Sequence, residues 1–562
     1  MEGDNYVFKN SLLSEKVDVP FLDKKVVWIS DNNSSTSYQS NQIQYDLSAV
    51  ANSESWIDWS SSYLEIPVCV VVENTNLTDI PDFRTLINSG FLSLKSSGFN
   101  LIQSCSIQYN NSNVVQLTNN INEYIQWRLL TDDLGQDNKQ KWGSSMFFSK
   151  DTPTAVKLSD PASGQGFSNN RPSFATTALD SSGAGYYGAP ANEGFAERIK
   201  NTVDTQNISF YSSVIDNADA KQVALSSMYC PDISHAVFTF QAVLPLKHLS
   251  NFFQQLGLVK RGFVTMTLNV NSSKQTISYE KDTATMTVSN LSVNGSCNPI
   301  MIASAAENQP NEWIDGALGL GETATFFVSA GIVTATDSTN TLYQVNGGPT
   351  STRVYFQTYT ISPEYEKVLL AKRIKRVIYE DVYSYIINKV EAGGQTQALI
   401  TNGISRMKEV VVVPFFNKDA NTGLTQYPIT SSPFTHEPGL PSTCAYLSQF
   451  NVAISGKNLF QNDQQYSWSQ FVDELSELGI NGGKSITSSG LYSQQDYTFA
   501  PYYVANAGRR LEGDNIARSV QILATNQTKK ALDLHCFITY YRELVIDISS
   551  GESQSVDASF YR

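Results

Sequence analysis

The sequence predicts a mainly β protein: two similar, mostly antiparallel units of sandwich or jelly-roll type, with a few short helices and long surface loops. Three observations carry this. Apolar residues fall on every second position in run after run, the pattern of a strand with one buried face. Tyr and Phe number 28 each, and these aromatics favour strands over helices. A strand–turn–helix unit also occurs twice, once in each half of the chain.

The strands follow in order. "QIQYDL" (42–47) places Ile43, Tyr45 and Leu47 on one face, and "YLEIPVCVVV" (63–72) does the same with Leu64, Ile66, Val68, Val70 and Val72. "SIQYNNSNVVQ" (106–116) is a strand and a polar turn, leading into a helix over 118–130. "HAVFTFQAVL" (235–244) and "FVTMTLNV" (263–270) flank a helix over 246–257 that ends at Gly257. "RVYFQTYTI" (353–361) precedes a helix over 362–372, with Ser362 as N-cap and Pro363 at the first helical position. Next come "RVIYEDVYSYII" (376–387), "MKEVVVVPF" (407–415) and "FNVAIS" (450–455). "VAISGKNLFQ" (452–461) repeats the strand–turn–helix unit and leads into a helix over 467–479. Ser467 and Gln470 have capping-box spacing there, and Gly479 closes the helix.

The end of the chain reads as a hairpin: "SVQILAT" (519–525), the turn "NQTKK", then "LDLHCFITYYRELVIDIS" (532–549). Eighteen residues would extend about 60 Å, far beyond a usual strand of about 5–6 residues. Arg542 also falls on its apolar face. The expectation is therefore a stave over Leu532–Tyr540; around Tyr541–Glu543 the strand would bend or leave the packed interior, and Leu544–Ile548 would continue at a sheet edge or against a neighbour. Arg542 would sit at the barrel mouth, its stem packed and its head in water or on a carboxylate. Three polar tracts, at about 132–205, 303–350 and 417–447, read as exposed loops.

At 562 residues the chain is too long for one ordinary core. Its net charge is −14, from 39 basic and 53 acidic residues. Residues 1–23 carry five acidic and two basic side chains, so no basic arm is present to grip phosphates. Direct nucleic-acid binding is therefore not expected. Six cysteines are scattered without a CxxC pair, which removes zinc-ribbon and redox-pair readings. No apolar run reaches transmembrane length and no secretory pattern precedes Val7, so synthesis in a reducing, intracellular setting is expected.

Catalytic motifs are weak. "GGKS" (482–485) lacks phosphate-loop spacing and follows a helix, so it reads as a helix-exit loop. His235, His248, His436 and His535 have no metal-ligand spacing, and no GxSxG elbow occurs. His535 lies on the polar face of its strand, where a solvent or interface role is expected. No catalytic, cofactor-binding or metal residue is assigned, no cofactor is expected, and the chain does not read as an enzyme. Lys372, Arg373, Lys375 and Arg376 form the densest basic cluster. It is either helix C-terminal charge followed by a solvated linker or a contact with an acidic neighbouring subunit.

The order of these elements resembles the double jelly-roll major capsid proteins of virophages and polinton-like viruses. The carriers are "SNQIQYDLSAV", "SYLEIPVCVVV", "VLPLKHLSNFF", "VYFQTYTISPEYEKV", "ITNGISRMKEVVVVPF", "FNVAISGKNLFQ" and "SVQILATNQTKKALDLHCFITYYRELVID". The resemblance implies two antiparallel eight-stranded jelly rolls side by side. Residues 24–365 would hold the first and 366–552 the second, with 1–23 as an N-terminal arm and 553–562 as a tail. It also implies a homotrimeric, pseudo-hexagonal capsomer in an icosahedral DNA-virus shell, assembled inside the host cell, with penton and minor capsid proteins as further partners. The sequence carries no sign for or against an internal membrane. Lys372, Arg373, Lys375, Arg376 and Arg542 are candidates for a subunit interface. Two competing readings are a receptor- or glycan-binding spike and a single jelly-roll capsid protein with large insertions.

Overall fold

The computed structural model describes residues 21–32, 42–51, 54–74, 92–131, 146–150, 198, 208–212, 233–280, 285–302, 323–332, 351–417, 441, 445–461, 466–479, 490–509, 516–550 and 552–555. The first part of the chain contributes β1 (Phe21–Ser30), β2 (Gln42–Asp46), β3 (Trp56–Asn74), β4 (Leu92–Leu94), β5 (Ile102–Tyr109), β6 (Ser112–Asn119), β7 (Ile208–Ser212), β8 (Ile233–Pro245), β9 (Leu258–Lys260), β10 (Val264–Val270), β11 (Ser272–Glu280), β12 (Thr285–Asn294), β13 (Ile300–Ile302), β14 (Thr323–Ile332) and β15 (Arg353–Ile361). The second contributes β16 (Ile374–Val390), β17 (Gln395–Ile404), β18 (Met407–Phe416), β19 (Leu447–Ile454), β20 (Lys457–Asn458), β21 (Tyr503–Asn506), β22 (Arg518–Asn526), β23 (Leu532–Asp547) and β24 (Ser553–Ser555). The helices are α1 (Ser48–Ala51), α2 (Ile121–Thr131), α3 (Leu246–Leu249), α4 (Asn251–Leu256), α5 (Pro363–Ala371), α6 (Trp468–Glu477) and α7 (Gln494–Phe499).

One strand order occurs twice. In the second unit β16-β23-β18-β21 form one sheet and β17-β22-β19-β20 the other. Counted along the chain, these are its first, eighth, third and sixth strands, facing its second, seventh, fourth and fifth. In the first unit β1-β15-β3-β8 and β2-β10-β5-β6 repeat that order. Every described pairing among them is antiparallel. The first unit adds β11, β12 and β14 between its seventh and eighth strands, and they extend its first sheet beside β3.

Alternation fixes the faces. β10 buries Val264, Met266, Leu268 and Val270, and β22 buries Val520, Ile522 and Ala524. β18 breaks the rule with a continuous buried run, because both of its faces are covered. Val410 and Val412 point into the second sandwich, while Val411 and Val413 join a core shared with the first unit.

The repeated strand–turn–helix unit is the fourth strand, the fifth strand and the following helix of each sandwich. In the first unit it is β5, β6 and α2; in the second, β19, β20 and α6. α2 starts at Ile121, later than expected, because β6 runs to Asn119 and Asn120 turns the chain at φ +56°. In α6 the Ser467 backbone amide donates to Gln470 Oε1 at 3.1 Å, as the capping-box spacing predicts. The 246–257 helix is split into α3 and α4 at Ser250, whose hydroxyl accepts from the Phe252 amide at 3.3 Å.

Three expectations are corrected. β22 and β23 are not a hairpin: β22 pairs β17 and β19, whereas β23 pairs β16 and β18. Ile522 and Ala524 share one core with Leu534, Cys536 and Ile538, so the strands face each other across the sandwich. Period 2 around a short turn cannot separate those arrangements. β23 does not break at Tyr541–Glu543, because its ladder with β16 is continuous from Asp547 to Leu534; past Glu543 it leaves the second sandwich's core, and Leu544 and Ile546 join the core shared with the first unit. Finally, the polar tract at 303–350 contains β14, which pairs both β3 and β11. The remainder of the three polar tracts, apart from 146–150, 198, 417, 441 and 445–447, lies outside the described residues, as does "GGKS" at 482–485.

Candidate assembly surfaces

The two units meet along a buried apolar seam. α2 sits in it and is buried at every residue but Arg128. Glu123 meets His535 at 2.6 Å, and Tyr124 Oη lies 2.9 Å from Thr539 Oγ1. Arg128 reaches Glu409 at 3.7 Å, and the Thr539 hydroxyl donates to the same carboxylate at 2.9 Å. Burial pushes the Glu409 carboxyl above its usual range, with Arg128 and Lys408 opposing the shift. Burial pulls the His535 imidazole down, but Glu123 beside it more than offsets this, so it titrates above its ordinary value.

Nearer the end where the units are joined, Arg542 closes a second cluster. Its guanidinium donates to the Val114 carbonyl at 2.6 Å, the Asn113 carbonyl at 2.9 Å and Asp381 Oδ2 at 3.1 Å. It also stacks over Tyr379 at 5.9 Å. Tyr379 donates its hydroxyl to the Val114 carbonyl at 2.8 Å and packs edge-on against Phe252. Burial pushes the Asp381 carboxyl up, with Arg542 opposing. Arg542 is thus held within its own chain, and β23 passes it unbroken. The seam's apolar part is continuous: Val377, Tyr379, Phe537, Leu544 and Ile546 share a core with Val114, Phe252 and Leu256.

The basic cluster is divided. Lys372 is exposed at the end of α5. Arg373 pairs with Asp547, and Arg376 meets Glu543 at 3.3 Å, yet both side chains remain 61% exposed. Lys375 turns inward and donates to the Leu256 carbonyl at 2.6 Å, where burial lowers its ammonium pKa. Sequence reasoning missed Glu123, Tyr124, Arg128, Asp381 and Glu409. The available signal was a charge inside an apolar run, as in "MKEVVVVPF" and "VIYEDVYSYII".

Outward surfaces differ between the units. Trp28 and Val26 on β1 are 50% and 58% exposed. α6 exposes Ser469, Asp473 and Glu477, four residues apart on one face. α5 buries no residue. An open groove of about 700 Å³ crosses the seam beside Asn110, Arg261, Ile374 and Val545. Among the described residues, no group of three or more His, Cys, Asp or Glu side chains is placed to hold a metal ion. The Cys105 and Cys297 thiols are buried and pushed up to about 12, far from a reactive thiolate at neutral pH.

No protein-family model and no curated protein matches the chain. Likeness appears in structure. A chain of the Sputnik virophage, solved by cryo-electron microscopy, superposes with a TM-score of 0.50 at 11% identity, over 96% of this chain and 90% of its own. The chain has the double jelly-roll fold. Lower-scoring double jelly rolls are the mavirus major capsid protein (TM-score 0.44, 9% identity, 97% and 92% covered) and the Faustovirus major capsid protein (0.40, 8%, 94% and 92%).

Proposed function

We propose that this chain is a structural major capsid protein that self-assembles as a trimeric, pseudo-hexagonal capsomer and tiles an icosahedral virion shell. The observation that carries the reading is the duplicated sandwich itself. Two units that share one eight-strand order are welded through a buried seam, and the likeness runs over nearly the full length of a Sputnik virophage chain. A shell tile needs this kind of stiff two-lobed wall, and it presents large lateral faces to its neighbours.

In this reading residues 24–365 form the first jelly roll and 366–552 the second, with 1–23 an arm and 553–562 a tail. The main partner is a second copy of the chain; penton and minor capsid proteins complete the shell. The location is the virion, after assembly in the host cell. The chain acts by packing, without catalysis and without gripping nucleic acid, which its net charge of −14 supports. Within the basic cluster, Lys372, Arg373 and Arg376 remain exposed and are the ones offered to a neighbour's carboxylates. Lys375 and Arg542 serve the seam inside the chain. Negative-stain microscopy of the purified protein tests the reading. Compact particles with a hexagonal outline are expected, and a field of isolated two-lobed monomers would contradict it.

A further inference from the structure

The seam inside the chain is a template for the contact between chains. Within one copy, the helix after the fifth strand of the first unit (α2) packs on the eighth and third strands of the second unit's first sheet. His535 and Thr539 on β23 and Glu409 on β18 receive it. The second unit carries the corresponding helix, α6, after its own fifth strand. Among the described residues α6 packs on β21 of its own unit, where the Asn506 amide donates to Glu474 Oε2 at 2.7 Å; it buries Phe471, Val472, Glu474 and Leu475 and leaves Ser469, Asp473 and Glu477 exposed.

The matching sheet also exists, and its edge strand β1 exposes Val26 and Trp28. On the outer face of the first unit's first sheet, Trp28, Tyr355 and Tyr63 lie in one row across β1, β15 and β3. The Tyr63 and Tyr355 rings stack 4.9 Å apart, and the Arg353 guanidinium lies 4.4 Å over Trp28. Val27, Ile29, Val354 and Leu64 point the other way, into the core. Trp, Tyr and Arg are the residue types that dominate protein contacts, here with Trp28 half exposed. The charges also match: Lys24 and Arg353 lie on this face, with Glu65 across the ladder from Arg353, while Asp473 and Glu477 lie on the exposed stripe of α6.

We propose that the Trp28–Tyr355–Tyr63 face of one copy docks on the exposed stripe of α6 in a second copy, as the second unit's sheet docks on α2 within the chain. The contact is head-to-tail: each copy offers one face of each kind, and the trimeric ring of the proposed capsomer uses both faces of every copy. It rests on the proposed self-assembly and assigns the surfaces that carry it.

Thiol crosslinking tests this. Val26 and Asp473 are exposed, so V26C and D473C perturb no core. A short bis-maleimide should convert the V26C/D473C double variant into covalent dimers and trimers. All variants carry C230S and C444S, which leaves only buried native thiols, and the single variants and the parent in that background should stay at monomer mass. A trimer by light scattering that yields no ladder in the double variant would overturn the docking geometry and leave self-assembly standing. A monomer by light scattering would overturn both. An equal ladder from V26C paired with Q397C, on the far sheet of the second unit, would also overturn the assignment.

Discussion

Replacing Arg542 by methionine keeps most of the stem volume and removes the guanidinium. Asp381, buried and carrying that ion pair, would then face the seam with only the Tyr540 hydroxyl at 3.0 Å and the Val382 amide at 2.9 Å. Removing one partner of a buried pair costs about 3–5 kcal/mol. Arg542 keeps 19% of its side chain exposed, which places the cost near the lower end, about 3 kcal/mol. An unfolding entropy of about 2.1 cal/mol/K per residue gives a 562-residue chain about 1.2 kcal/mol/K, so Tm should fall by about 2–3 °C. The seam pair should also couple: R542M combined with D381N should cost about 1–3 kcal/mol less than the sum of the single variants. Losing Arg542 raises the Asp381 carboxyl further above its unfolded value. A raised carboxyl contributes stability that is full below the unfolded pKa and is lost as pH rises through the folded one. The R542M deficit should therefore be larger at pH 8 than at pH 5. Urea denaturation of the four proteins at both pH values measures this. Strict additivity, or a single-variant cost under about 1 kcal/mol, would refute the seam energetics.

Further outcomes follow from the same geometry. His535 titrates above its ordinary value because of Glu123, so its contribution is full below about pH 6.5 and fades as pH rises through the folded pKa. The stability advantage of wild type over E123Q in thermal melts should accordingly be larger at pH 6 than at pH 8. Gly257 ends α4 at φ +61°, ψ −139°, and an added Cβ would lie 3.2 Å from Lys375 Nζ. Gly257→Ala should cost about 1–3 kcal/mol in urea denaturation. Cys69, Cys105, Cys297 and Cys536 are buried, so native protein should expose at most two of its six thiols to an aromatic disulfide reagent, against six in denaturant.

The fold was legible where local chemistry sets it. Period 2 placed β2, β3, β10, β15 and β22, and the recurring strand–turn–helix unit marked equivalent places in both sandwiches. Pairing was less legible. β22 and β23 have complementary alternation whether they lie side by side or face to face, and only the shared core of Ile522 with Leu534 and Cys536 decides it. β14 was hidden because its Ala, Ser and Gly positions resemble loop composition. The seam was least legible: Glu123 and His535 meet across 412 positions of sequence, a contact no local pattern encodes. Arg542 stood out because it broke an apolar face, but its partners Asn113, Val114 and Asp381 come from two other elements.

The central claim is that this double jelly roll is a self-assembling shell tile, and the mass of the purified protein in solution tests it most directly. Light scattering should give a stable particle near 186 kDa, three times the 62.1 kDa of one chain. A well-behaved 62.1 kDa monomer across assembly conditions would contradict it.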